Sequence, residues 1–403
     1  MKRFRSHRHT ICAATIGYAT QAIVNNFAPL LFVFFQSEFQ IPWSMITILI
    51  TVNFLTQLCV DLIAAVVVDK IGYRPCCVFA HTCCALGLIG LGILPYCFSS
   101  PFTGLLIAVF LYAIGGGLVE VIISPLVEAC PTKQKSSVMG LLHSFYCWGQ
   151  VAVILLSTVF FLTIGIENWR ILSRLWAIVP LFNAVYFLFV PIYSSQEAEN
   201  KTPLRSLFRN KLFWIFALLM FCAGAAELSV AQWASAFAET GLNVSKTVGD
   251  LLGPCLFALL MGISRILYAQ VCKRFDIKNI ILISAILCLG GYLLTSLSPI
   301  PALSLLGCGI CGFAVGVFWP GTYSVAAKEY PSGGTTMFAL LALAGDLGCS
   351  GGPTMVGLIA DLTGELKFGL LAATIFPILS IVGIFLSKKN IKSKKMLSNS
   401  FQK

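Results

Sequence analysis

Twelve times along this chain, a long apolar stretch runs between short polar gaps. The hydrocarbon core of a bilayer is ~30 Å thick, and a helix needs about 20 apolar residues to cross it. Hydrocarbon offers no partner to a backbone N–H or C=O, so each such stretch must close its own hydrogen bonds as a helix. The expected spans are 11–35, 45–68, 76–98, 102–129, 138–164, 172–193, 212–237, 248–271, 279–299, 302–327, 335–360 and 368–387. The polar run Glu167-Asn168-Trp169-Arg170 divides the fifth from the sixth.

Composition agrees. Of 403 residues, 58% are apolar and 11% charged, with mean hydropathy +0.89. A soluble domain is roughly a quarter charged. A chain this poor in charge cannot cover a water-facing surface, which excludes a soluble enzyme, a nucleic-acid binder and a disordered scaffold. The net charge of +11 sits in the polar gaps, where lipid headgroups and membrane topology account for it. The segment Met1–His9 is basic, but the apolar stretch after it exceeds a signal-peptide core of about 7–15 residues, so it reads as an uncleaved first span. The 16 cysteines lie mostly inside apolar runs, as in Cys76-Cys77 and Cys83-Cys84, without the spacing of a zinc site. No metal and no cofactor is expected.

Charge asymmetry sets the orientation. With twelve spans, 22 of the 27 Lys and Arg fall on one side and four on the other, while Arg265 lies within a span. Both termini are therefore expected in the cytoplasm. The longest internal polar segment, 194–211, divides the chain into six-helix bundles at 1–193 and 212–403, the second ending in a short basic tail. The halves repeat weakly. Gly116–Gly149 aligns with Gly316–Cys349 at an offset of 200, so that Ser124 meets Ser324 and Pro131 meets Pro331. Parallel repeats of this kind place a solute site between the halves, near the midplane. The expected fold is thus all-α and integral to the membrane, with twelve transmembrane helices in two pseudo-symmetric bundles.

The loop after the second span reads Asp69-Lys70-Ile71-Gly72-Tyr73-Arg74. With the preceding Val66-Val67-Val68 it resembles the signature G-x-L-x-D-R/K-x-G-x-R/K of the major facilitator superfamily, with Ala65 and Val67 in place of the glycine and leucine. The resemblance implies a gating latch made by Asp69, Lys70, Gly72 and Arg74. An acid there would meet the positive N-terminus of helix eleven. A narrower likeness follows. Gly116-Gly117-Leu118-Val119-Glu120 through Ser124-Pro125-Leu126 is similar to the fourth-helix motif G-x-x-E-x-x-x-N-P-F/L of fucose-permease-like sugar carriers, and Asn25-Asn26 matches an Asn-Asn pair of that group. Ser124 replaces the motif's asparagine, and Pro29 stands where the group places a second acid. Proton coupling would then rest on fewer groups.

An ionisable residue in mid-membrane faces a cavity or a partner. Five residues qualify: Asp61, Glu120, Glu227, Arg265 and Asp346. Burial disfavours a charged carboxyl, which suits reversible protonation. Glu120 is the first candidate for a substrate or proton site, with Asn25 or Asn26 as its partner; a structural node between helices is the alternative. The superfamily resemblance implies a cavity lined by helices one, four, seven and ten. This adds Glu227, Gln232, Trp233, Phe318, Trp319 and Tyr323, with Asp346 from helix eleven and His143 as a proton relay. Asp61 and Arg265 are expected to serve structure or ion pairing.

The leading expectation is a secondary transporter by alternating access, proton-coupled and moving a small polar solute such as a sugar or sugar derivative. Efflux of an amphipathic cation, or a receptor on the same scaffold, are the alternatives. No GxSxG, HExxH or P-loop supports an enzyme. The expected partners are the solute, protons and the bilayer, with no nucleic acid. A monomer in a bacterial inner membrane is the expected setting.

Overall fold

The computed structural model describes residues 6–132, 135–193, 204–272, 274–330 and 334–400, without the side chains of some of these, Asp69 and His143 among them. Among the described residues every regular element is helical. Twelve long helices follow one another: α1 (His7–Phe39), α2 (Trp43–Ile71), α3 (Tyr73–Leu91), α4 (Pro101–Glu128), α5 (Lys135–Ile164), α6 (Trp169–Phe189), α7 (Lys211–Ala231, continued by Ala234–Gly241), α8 (Lys246–Val271), α9 (Ile277–Leu297), α10 (Pro301–Glu329), α11 (Gly334–Thr363) and α12 (Leu366–Lys388). Eleven of them are long and apolar enough to cross a membrane. The remaining one, α11, has 30 residues and stands where the eleventh span was expected. Of the expected linker, residues 194–203 lie outside the described residues, and a short helix, Leu204–Phe208, follows them.

Local chemistry sets the helix ends. Ser6 and Asn210 cap α1 and α7 by accepting the N–H of Arg8 and Leu212 at 3.3 and 3.0 Å. Such caps satisfy N–H groups that have no partner within the helix. Pro101 and Pro301 open α4 and α10, where a missing N–H does no harm. The chain turns from α2 into α3 at Gly72, whose φ of 92° excludes a side chain in all but strained form.

Helix pairings recur with a shift of six. In the first half α1 packs on α5, α2 on α4, and α3 on both α4 and α6; in the second, α7 packs on α11, α8 on α10, and α9 on both α10 and α12. Lipid provides little drive for apolar helices to associate, so close backbone approach at small residues takes over. At the α7–α11 contact, a side chain on Gly224 would collide with the backbone of Gly345, and one on Gly348 with that of Phe221. The halves meet along α2 and α11, along α5 and α8, and more narrowly where α1 meets the end of α7.

Candidate functional site

The space between the halves is closed at one end. On α1 every residue from 20 to 32 is buried, and on α7 every residue from 222 to 238. Trp233 forms the centre of this seal. It is 0% exposed, packs its ring 5.7 Å from Phe32 and 5.8 Å from Trp43, and donates Nε1–H to the Pro353 carbonyl at 2.9 Å. Beside it, Gln232 Nε2 donates to the Asn25 carbonyl at 3.0 Å, bridging the halves. Both residues were candidates for ligand contact, and in this conformation both belong to the seal. The basic loops lie at the other end, which is open. Glu120 on α4 is exposed although it lies eight residues, about 12 Å, inside the helix. Pro125 and Glu128 continue the same exposed strip.

A network of side-chain amides holds Glu120. Gln21 Nε2 donates to Glu120 Oε2 at 3.1 Å and to Gln57 Oε1 at 2.9 Å. Gln57 Nε2 donates in turn to Asn25 Oδ1 and Asn53 Oδ1, both at 2.9 Å, and Asn53 Nδ2 reaches Asn25 Oδ1 at 3.2 Å. Asn26 instead donates to the carbonyl of Ala22 at 2.9 Å. The expected contact between Glu120 and an asparagine of α1 is therefore made by Gln21, about one turn nearer the open end. Tyr18 bonds Ser124 of α4 at 3.0 Å. Glycines make room for the network: a side chain on Gly116 would come within 3.2 Å of Gln21 Oε1, and one on Gly117 within 2.9 Å of the Gln57 backbone. Gln21, Gln57 and Asn53 were missed from sequence. Their spacing could have revealed them, because Tyr18, Gln21 and Asn25 line one face of α1, as Asn53, Gln57 and Asp61 line one face of α2.

The second half contributes an ion pair. Arg265 of α8 lies 3.6 Å from Glu227 Oε2 on α7, with their side chains 22% and 7% exposed. The pair is loose: Glu227 Oε2 and Arg265 Nε are buried and have no hydrogen-bond partner. On α10, Trp319 lies against Gly345, and Tyr323 packs 6.4 Å from Trp319 and 5.7 Å from Phe338. Phe318 is buried. Asp346 on α11 and Asp61 on α2 lie close enough across the seam for the charge of each to act on the other. Of the latch residues, Lys70 is exposed, and Arg74 donates to the carbonyls of Phe187 at 3.0 Å and Leu188 at 2.5 Å, within its own half. The expectations for Asp69 and His143 fall on side chains outside the described residues. No group of three or more metal-ligating side chains occurs among the described residues.

The family model of the Major Facilitator Superfamily matches residues 11–353. The chain belongs to that superfamily. Membrane protein MosC of Rhizobium meliloti is 22% identical over 286 residues, which cover 70% of this chain and 68% of MosC. The fold is similar to that of a bacterial homologue of the human lysosomal transporter Spinster, solved inward-facing and occupied, with TM-score 0.75, 14% identity and coverage of 94% and 96%. It is also similar to the E. coli fucose:proton symporter FucP, with TM-score 0.65, 14% identity and coverage of 95% and 99%. At these identities the likeness shows the fold. The superfamily fold accounts for the two bundles, and the chain is a multi-pass membrane transporter of that family.

Proposed function

We propose that this protein is a proton-coupled secondary transporter that carries a small polar solute, a sugar or sugar derivative, across a bacterial inner membrane by alternating access. One observation carries the reading: Glu120 is open to water deep between the halves and is held there by an amide network. A carboxyl so placed can take a proton from the open side. Gln21 then has a choice of partners, because its amide already joins Glu120 to Gln57. Side-chain amides both donate and accept, which matches the hydroxyl groups of a sugar. The ring faces of Trp319 and Tyr323 offer the apolar contact that sugar rings also need. In this cycle Glu227 and Arg265 exchange their loose contact for solute hydrogen bonds, Asp346 contributes a second proton group, and the loop around Lys70 and Arg74 serves as the latch. The chain works as a monomer.

Solute and proton act on the same equilibrium, since a ligand shifts two conformations only by its difference in affinity for them. A second reading has its own observation. Asp61, Glu120 and Asp346 influence one another electrostatically, and Arg265, a deep cation among the described residues, faces Glu227 instead. That balance favours a cationic solute. Liposome counterflow with labelled sugars and organic cations decides between them. Exchange of a sugar, competed by unlabelled sugar but not by cations, is the expected result. Exchange of cations alone replaces the sugar reading with the second, and binding without exchange of any solute identifies a receptor.

A further inference from the structure

We propose that a cavity at the sealed end, walled by both halves, binds a small organic ammonium ion, a primary or secondary amine with a short apolar body, and that this occupant holds the sealed end shut. The binding site is a property of the protein alone; its effect on transport rests on the alternating-access reading above.

The cavity encloses about 300 Å³, a volume at the small-molecule end of the range for ligand sites. Val33 and Phe34 of α1 and Thr158, Phe161 and Leu162 of α5 form one wall. Glu239, near the end of α7, and Lys246, which begins α8, form the other. Lys246 Nζ donates to Ser235 Oγ at 3.1 Å, Glu239 Oε1 at 3.0 Å and Asp250 Oδ1 at 2.8 Å. An ammonium has three hydrogens, so all of them are engaged and none is left for an anion. The acceptors are not matched in the same way. Glu239 and Asp250 bring two carboxylates to this single ammonium. Asp250 Oδ2 is buried without a hydrogen-bond partner, and of the Glu239 oxygens only Oε1 accepts a bond among the described residues. On the opposite wall Thr158 is 2% exposed, and its Oγ1 is buried without a partner as well.

What the cavity lacks is therefore a hydrogen-bond donor that carries positive charge. The N–H groups of an amine meet Glu239 and Thr158, and its charge balances the second carboxylate. A bond between charged partners is about twice as strong as one between neutral groups. Phe161 already presents its ring to a cation, with Lys246 Nζ 5.9 Å from the ring centre. Together with Phe34 it offers the aromatic faces that ammonium groups favour. Val33 and Leu162 receive the carbon body. A quaternary ammonium has no N–H to give, and an anion meets two carboxylates and an ammonium already engaged. Because the walls belong to opposite halves, opening of the sealed end pulls them apart and dismantles the site. The occupant thus binds the sealed form and shifts the equilibrium toward it.

The test needs no transported solute. Calorimetric titration of the purified full chain with phenethylamine, and with phenethyl alcohol as its uncharged counterpart, reads binding. Hydrogen exchange of residues 33–37, 158–166 and 239–247 reads its place. In wild type the amine should bind about tenfold or more tighter than the alcohol and slow exchange in all three segments. Glu239→Gln should weaken the amine roughly 10–150-fold, the loss of one charge-assisted hydrogen bond, and leave the alcohol unchanged. Thr158→Val should weaken the amine about 2–10-fold at the wild-type Tm, because the hydroxyl it removes has no partner in the protein. Glu120→Gln should bind the amine as wild type does. Amine binding no tighter than that of the alcohol, or unchanged in both Glu239→Gln and Thr158→Val, overturns the proposal. Loss of amine binding in Glu120→Gln instead places the amine in the central cavity and overturns it too. Failure of the transport reading would look different: the amine binds and protects the three segments, while no solute exchanges with or without it.

Discussion

Replacing Trp233 should open the sealed end by a predictable amount. Its ring makes two aromatic contacts across the halves, to Phe32 at 5.7 Å and Trp43 at 5.8 Å. Aromatic pairs are worth about 0.5–1.5 kcal/mol each beyond their burial. Losing both in Trp233→Leu should shift the balance by about 1–3 kcal/mol, or roughly 5–150-fold toward opening. The Nε1–H bond to Pro353 is a separate matter, because α11 and α7 belong to the same half. Its loss weakens the second half by about 1 kcal/mol without favouring either conformation. Trp233→Phe makes the distinction, keeping both ring contacts and losing only that bond. Hydrogen exchange over residues 27–39 and 234–241 should accelerate in Trp233→Leu and stay near wild type in Trp233→Phe, while both variants melt earlier. Equal acceleration in the two variants, or none in Trp233→Leu, refutes the assignment of the seal to the ring contacts.

Three further outcomes are expected. Arg265→Met leaves Glu227 buried beside no cation and should cost about 3 kcal/mol in unfolding, with the double change Arg265→Met/Glu227→Gln recovering most of it; equal losses would show that the pair is not coupled. Gly348→Leu drives a side chain into the Phe221 backbone and should lower stability by about 1–3 kcal/mol or more, read as a fall in Tm, while Leu347→Ala, at an exposed position of the same helix, should have little effect. Near the sealed end, burial pushes the Glu239 carboxyl above its usual range, against the opposing pull of Lys246 at 3.0 Å. The folded state then holds that proton more tightly than the unfolded chain, so stability should fall as pH rises from the ordinary carboxyl range through the shifted ionisation, and Glu239→Gln should flatten that portion of the Tm–pH curve.

The helices were legible because a bilayer leaves so few options. Run length placed the eleven helices that, among the described residues, are long and apolar enough to cross a membrane, and the structure moves their ends by a few residues, as where α1 begins at His7 and continues to Phe39. The loop around Gly72 pointed to the superfamily before any contact was known. Single acidic positions were legible too, since charge is conspicuous in an apolar helix. Their partners were not. Gln21 and Gln57 are uncharged, and only the packing of α1, α2 and α4 shows that they converge on Glu120. Trp233 looked suited to a ligand because its role depends on conformation, which sequence does not specify. Asp61 and Asp346 are 285 positions apart and lie on opposite halves, so their proximity is a property of the assembled bundles.

The account depends most on Glu120 exchanging a proton as solute moves. Liposomes containing the protein and an internal pH dye, given the solute identified by counterflow, measure this directly for wild type and Glu120→Gln side by side. The account expects a solute-driven pH change in wild type and none in Glu120→Gln, with solute binding retained in both. The same pH change in Glu120→Gln would contradict it.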